Sequence, residues 1–182
     1  MFKILVYSYL HPYEIELNKF EANASQLLKV EPIQPLDITE TPLVFVDNVV
    51  KLKEVLNDFV NVNEIAVDVE HHSYRTFQGI TCLLQISTRE KDYLFDTLIL
   101  RDDLHVLNEV FTDTKIVKVF HGAESDIQWL QRDLSLYVVN MFDTHQAAKR
   151  LNLARLSLAY LLKYYCKIDL DKTFQLADWR IR

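Results

Sequence analysis

With 182 residues, 49% of them hydrophobic, the chain is long enough to bury one core and little more, so a single domain is the expectation. Its two glycines, Gly79 and Gly122, cannot compose a Walker loop or a dinucleotide fingerprint, which removes nucleotide chemistry of those kinds. The net charge of −6 speaks against a simple nucleic-acid-coating protein, yet residues 1–114 hold 9 Lys and Arg against 19 Asp and Glu while residues 115–182 hold 11 against 7.

Such a gradient suits an acidic centre with a basic flank, and counts alone suit an incidental split equally well. Cys82 and Cys166 lie in apolar stretches without paired spacing and read as buried free thiols in a reducing compartment. No run reaches the eighteen or more apolar residues of a membrane span, and ILVYSYL is followed by His11-Pro12-Tyr13-Glu14 rather than by a cleavage site. A soluble intracellular protein is expected.

Residues 1–48 contain all four prolines, Pro12, Pro32, Pro35 and Pro42, and predict an extended tether lying on a folded body. Leu52, Val55, Leu56 and Phe59 fall at helical spacing and predict a first helix over 49–59. Three β-rich runs, 64–70, 81–88 and 92–96, predict an antiparallel meander. Alternation follows: a helix over 102–111, a strand over 115–120, a helix over 123–134, a strand over 136–142, a helix from Thr144 and another over 157–165. This order predicts an α/β protein with a mixed sheet flanked by helices, as in a ribonuclease H-like fold.

Two stretches carry chemistry. In the run from Glu64 to Glu70 the strand period puts Ile65, Val67 and Val69 on one face and Ala66, Asp68 and Glu70 on the other. Two carboxylates on a half-buried strand repel unless a cation sits between them, and hard oxygen ligands select Mg²⁺ or Mn²⁺ over zinc. A solvated strand edge would carry the same residues. In the run from His121 to Leu130, a glycine turn opens an amphipathic helix with Asp126 near its start, at the strand edge where α/β sheets place ligands. A helix-capping acid is the plainer reading of Asp126. Asp143 reads as an N-cap and Asp178-Trp179 as structural.

The runs VDVEHHSYRTFQGITCLLQIST, VKVFHGAESDIQWLQRD, NMFDTHQAAKRLNL and QLADWRIR together resemble the DEDD superfamily, specifically the exosome-associated branch of the RNase D family, from about His11 to Arg182. The resemblance implies a metal-dependent 3′-to-5′ exoribonuclease releasing nucleoside monophosphates, with two divalent metal ions, Mg²⁺ or Mn²⁺. It assigns Asp68 and Glu70 to the first ligand motif and Asp126 to the second. It suggests a nucleotide-binding shell of His71, Trp129 and Lys172, with Tyr74, Arg75 and Arg180 as further candidates; a core role for Trp129 stands beside that reading. The partners implied are single-stranded RNA 3′ ends and the nuclear exosome core, with no membrane, a monomeric state and a place in the nucleus and nucleolus.

Nothing here matches the family's third motif, Tyr-x-x-x-Asp, so the expectation is a tether over 1–48 followed by an exonuclease domain over 49–182 incomplete at its C-terminus, with little or no activity as it stands. A catalytically silent adaptor that holds RNA or exosome contacts, and a DNA exonuclease with the same carboxylates, are the alternatives.

Overall fold

A computed structural model describes residues 10–37 and 39–182; the first nine residues and Ile38 of the expected tether lie outside the described residues. The described residues build one sheet from β1 (Leu43–Val46), β2 (Glu64–His72), β3 (Ile80–Ser87), β4 (Asp92–Asp96), β5 (Val117–Phe120) and β6 (Met141–Asp143). Their order is β1-β4-β3-β2-β5-β6. The meander β2-β3-β4 is antiparallel, whereas β1 on β4, β5 on β2 and β6 on β5 are parallel. The sheet is therefore mixed, with β2 at its centre.

Helices α1 (Glu14–Asn18), α2 (Val49–Leu56), α3 (Asn108–Phe111), α4 (Glu124–Leu134), α5 (Thr144–Arg150) and α6 (Leu158–Leu161) connect and cover the strands. None among the described residues is long and apolar enough to cross a membrane. Local chemistry explains where several begin. Asn48 caps α2 by accepting from the Lys51 amide, and Asp143 caps α5 by accepting from those of His145 and Gln146.

The core occupies the face of β2 that carries Ile65, Val67 and Val69, as the period of two predicts. Against it pack Leu52 and Val55 of α2, Val110 and Phe111 of α3, and Leu130 and Leu134 of α4. The opposite face is open around Ala66, Asp68 and Gln85, and α5 and α6 cover only its β6 side. One face of the sheet thus supplies stability and the other is left for chemistry.

Three expectations change. The segment expected to be extended over 1–48 contains α1, a 3₁₀ turn at Ala24–Leu27 and the edge strand β1. It rests on the body through the Gln26–Asn140 side-chain bond at 3.0 Å and through His11 and Tyr13, whose rings meet that of Tyr137. The strand expected over 136–142 shrinks to Met141–Asp143, because Asn140 adopts φ 61° and turns the chain just before the pairing begins. Leu136, Val138 and Val139 are still buried, but in irregular chain. The helix expected over 157–165 changes after Leu161 into a π-helical turn over 162–166.

A charged residue also occupies the core. Lys118 of β5 is fully buried, and its ammonium donates to the carbonyls of Asp113 at 2.7 Å and Ile116 at 2.6 Å. Burial pushes its pKa down to about 8, against the opposing pull of Asp113.

Candidate active site

Asp68 and Glu70 leave β2 on the open face. Parallel pairing sets Ala66 beside Val119, so the C-terminal ends of β2 and β5 finish at the same edge of the sheet. Just beyond β5, Gly122 adopts φ +73° and turns the chain into α4, whose first turn holds Asp126. The turn is clamped by Asp143, whose carboxylate accepts from the amides of Gly122 at 2.9 Å and Ala123 at 3.1 Å. Burial would raise the Asp143 pKa, but these amides and those of α5 hold it below the usual range. Asp143 is structural, as its sequence context suggests.

The structure brings Asp68, Glu70 and Asp126 into one electrostatic neighbourhood. Half-burial, then the charges of Asp68 and Asp126, push the Glu70 pKa up to about 7. Burial, then Asp68 and Asp143, push that of Asp126 up to about 6. Among the described residues no three His, Cys, Asp or Glu side chains stand close enough to hold a metal ion as they are. Acceptor-only groups that repel one another at a water-accessible edge fit a hard dication, which takes part of its shell from water and substrate oxygens.

A consequence for stability follows. A carboxyl whose folded pKa is raised binds its proton more tightly in the native state, so the penalty is absent at pH 4 and grows as pH rises through 6 and 7. The metal-free protein is expected to melt at a lower temperature at pH 8 than at pH 5.5. Glu70→Gln, which removes the repelled charge, is expected to gain about 1–2 kcal/mol at pH 8 after discounting for solvent screening at a half-buried site. A calorimetric scan of the metal-free chain that found Glu70→Gln less stable than the parent at pH 8 would contradict this.

His71 and Trp129 lie next to the carboxylates and stack on each other, ring centroids 4.1 Å apart and planes within 2°. The β2–β3 register slips by one residue between Glu70 and His71, with Cys82 as the extra residue on β3, and such a bulge re-aims the chain that follows. Gly79 makes the stack possible: a Cβ there would sit 1.9 Å from His71 Cε1. Arg132 Nη2 lies 3.3 Å from His71 Nε2, and burial, then Arg132, lowers the His71 pKa. Trp129 also packs against the core, as its core reading expects.

The third member of the expected nucleotide shell comes from the C-terminal segment. Lys172 is exposed in the C-terminal segment, in a turn closed by its carbonyl and the Gln175 amide, and no ion pair joins it to the carboxylates among the described residues. Arg180 pairs with Asp178 on that segment, and Asp178 reaches buried His72 at 3.5 Å. Arg182 binds Asp96 and the Cys82 carbonyl, docking the segment on β3 and β4.

Sequence reading missed two groups. His121 donates to or accepts from Thr144 Oγ1 at 2.9 Å and lines a hollow of about 260 Å³ beside Asp68. Buried Asp133 gathers Thr81, Arg132 and Arg101 beneath the stack. The only signal of the second was an Arg-Asp pair where α4 should turn inward.

The sheet and its helices have the ribonuclease H-like architecture of 3′-to-5′ exonucleases. The chain belongs to the 3′-5′ exonuclease family, which residues 43–182 match, beginning at the first residue of β1. It is 64% identical over 177 residues to the Exosome complex component 10 homolog of Drosophila melanogaster, and 57% identical over 174 residues to Exosome complex component 10 of Homo sapiens. These alignments cover 97% and 96% of the chain but 20% of each relative, so the chain spans about a fifth of their length. The crystal structure of the catalytic core of RRP6 from Trypanosoma brucei superimposes with a TM-score of 0.92 at 42% identity, covering 95% of this chain and 48% of that one.

Proposed function

We propose that the chain carries the catalytic centre of a metal-dependent 3′-to-5′ exoribonuclease that releases nucleoside monophosphates. The observation that carries this reading is the meeting of Asp68, Glu70 and Asp126 at one sheet edge, where burial first and neighbouring carboxylate charge second hold Glu70 and Asp126 well above ordinary carboxylate pKa values. A divalent cation would relieve that repulsion, and Asp68, Glu70 and Asp126 are the proposed ligands of two Mg²⁺ or Mn²⁺ ions. Bound there, divalent ions supply an activated water and neutralise charge developing on the leaving 3′ oxygen.

The protein's own contribution is orientation. Asp68 and Glu70 are fixed by a central strand, and Asp126 by a helix whose start Asp143 clamps. The outer faces of the His71–Trp129 stack are suited to holding the terminal base, and Lys172 to meeting a phosphate. Residues 49–182 with β1 constitute the exonuclease domain in this reading, and the preceding residues a tether. The names of the relatives support an exosome complex as partner; single-stranded RNA 3′ ends, a place in the nucleus and nucleolus and a monomeric chain complete the proposal.

The test is a 5′-labelled unstructured RNA incubated with the chain and Mg²⁺ or Mn²⁺. Slow stepwise loss from the 3′ end, stopped by chelation and slower still on DNA of the same sequence, is expected. RNA binding without any metal-dependent shortening would favour the silent adaptor, and equal degradation of DNA the third reading.

A further inference from the structure

The β2–β3 connection carries two aromatic rings with almost nothing over them: Tyr74 is 88% and Phe77 113% exposed, with exposed Arg75 between. Bare apolar surface of this size is costly in water, at roughly 25 cal/mol per Å², and rings so placed await a partner. The loop is held at its root. His72 before it is buried, the Gly79 amide donates to the Thr76 carbonyl at 3.3 Å, and Arg132 Nη1 donates to the Gln78 carbonyl at 2.8 Å. That same Arg132 braces His71, so the root of the loop and the edge of the carboxylate site share one side chain. A hollow of about 380 Å³ opens among Ser73–Phe77, within the range of ligand clefts.

We infer that Tyr74, Arg75 and Phe77 form a binding surface for the RNA nucleotides upstream of the one being removed, an inference that rests on the proposed reading of the carboxylate site. A strand whose 3′ end lies at Asp68 and Glu70 must leave across whatever borders that edge, and this loop departs three residues after Glu70. Aromatic faces accept any base, and a guanidinium meets the phosphate between two bases, so the surface is sequence-tolerant and specific for single strands. In a chain of net charge −6, a cation between two bare rings beside the acidic edge gives the polyanion a place to lie. A protein partner would not require the aromatic-cation-aromatic pattern to abut the carboxylates.

The experiment compares the 182-residue chain with its Tyr74→Ala/Phe77→Ala double variant by fluorescence anisotropy, in Mg²⁺ at low temperature. One probe is a 5′-labelled oligouridylate of about twelve nucleotides, long enough to reach beyond the terminal site; the other is uridine monophosphate as competitor. The variant is expected to bind the oligouridylate about tenfold or more weakly and uridine monophosphate as the parent does, with an unchanged melting temperature because both rings are exposed. Unchanged oligouridylate affinity would overturn the inference and leave the loop as a surface for a protein. Equal weakening toward both probes would overturn it too, by placing the effect at the terminal site. An Asp68→Asn control separates the two levels: if metal-dependent binding of uridine monophosphate survives Asp68→Asn, the reading of the carboxylate site itself fails.

Discussion

Asp68→Asn is expected to slow 3′-end shortening of RNA by on the order of a thousandfold or more, while leaving the fold intact. The side chain is exposed on the open face of β2, so its charge contributes nothing to core packing. Its role is electrostatic: Asp68 is the charge that acts on both Glu70 and Asp126. Replacing it by an isosteric amide removes a proposed anionic ligand of the trio, and losses at preorganised charge-stabilising positions cost several kcal/mol of barrier. The measurement is the initial rate of 5′-labelled RNA shortening at saturating Mg²⁺, with a thermal melt to establish that the variant folds. A loss below about tenfold in a folded variant would place the chemistry elsewhere.

Asp133→Ala is expected to cost about 3–5 kcal/mol of folding stability, the largest effect of any single charged residue outside the site. Its side chain is only 4% exposed, and it accepts from the Thr81 amide at 3.0 Å, Thr81 Oγ1 at 2.8 Å and Arg132 Nε at 2.7 Å. Burial would raise its pKa, but Arg132 and Thr81 hold it far below the usual carboxylate range. Truncation strands two buried Thr81 donors and leaves Arg132 without its partner, so the penalty exceeds that of losing an exposed ion pair. Because the folded pKa is depressed, this stabilisation is complete above the ordinary Asp value near 3.8 and fades as pH falls below it. Urea unfolding at pH 7 gives the difference directly, and a loss under about 1 kcal/mol would show that water replaces the carboxylate.

Particular residues explain how much of this was legible in the sequence. The alternation from Ile65 to Glu70 placed the core and the carboxylates on opposite faces of β2, because a strand offers only two sides. The glycine turn and amphipathic spacing located α4 and Asp126 at its start for a similar reason. Strand β1 escaped because Leu43–Val46 follows a proline-rich stretch, and its partner β4 lies more than forty residues on, a pairing no local pattern encodes. Leu136–Asn140 misled because an apolar run is equally consistent with a strand and with buried irregular chain.

Long-range contacts were the least legible. Lys118 sits in a strand of apolar residues, and only the structure reveals that its stem fills the core while carbonyls receive its ammonium. The His71–Trp129 stack joins residues 58 positions apart through a register slip and a glycine, so both rings could be nominated from sequence but not their mutual contact.

The most direct test of the central claim is where a divalent ion binds. Crystals of the chain soaked in Mn²⁺ and measured at the manganese absorption edge should give anomalous density within ligating distance of Asp68, Glu70 and Asp126, lost in crystals of Asp68→Asn. Anomalous density confined to other parts of the molecule, with the three carboxylates bare at saturating Mn²⁺, would contradict the account.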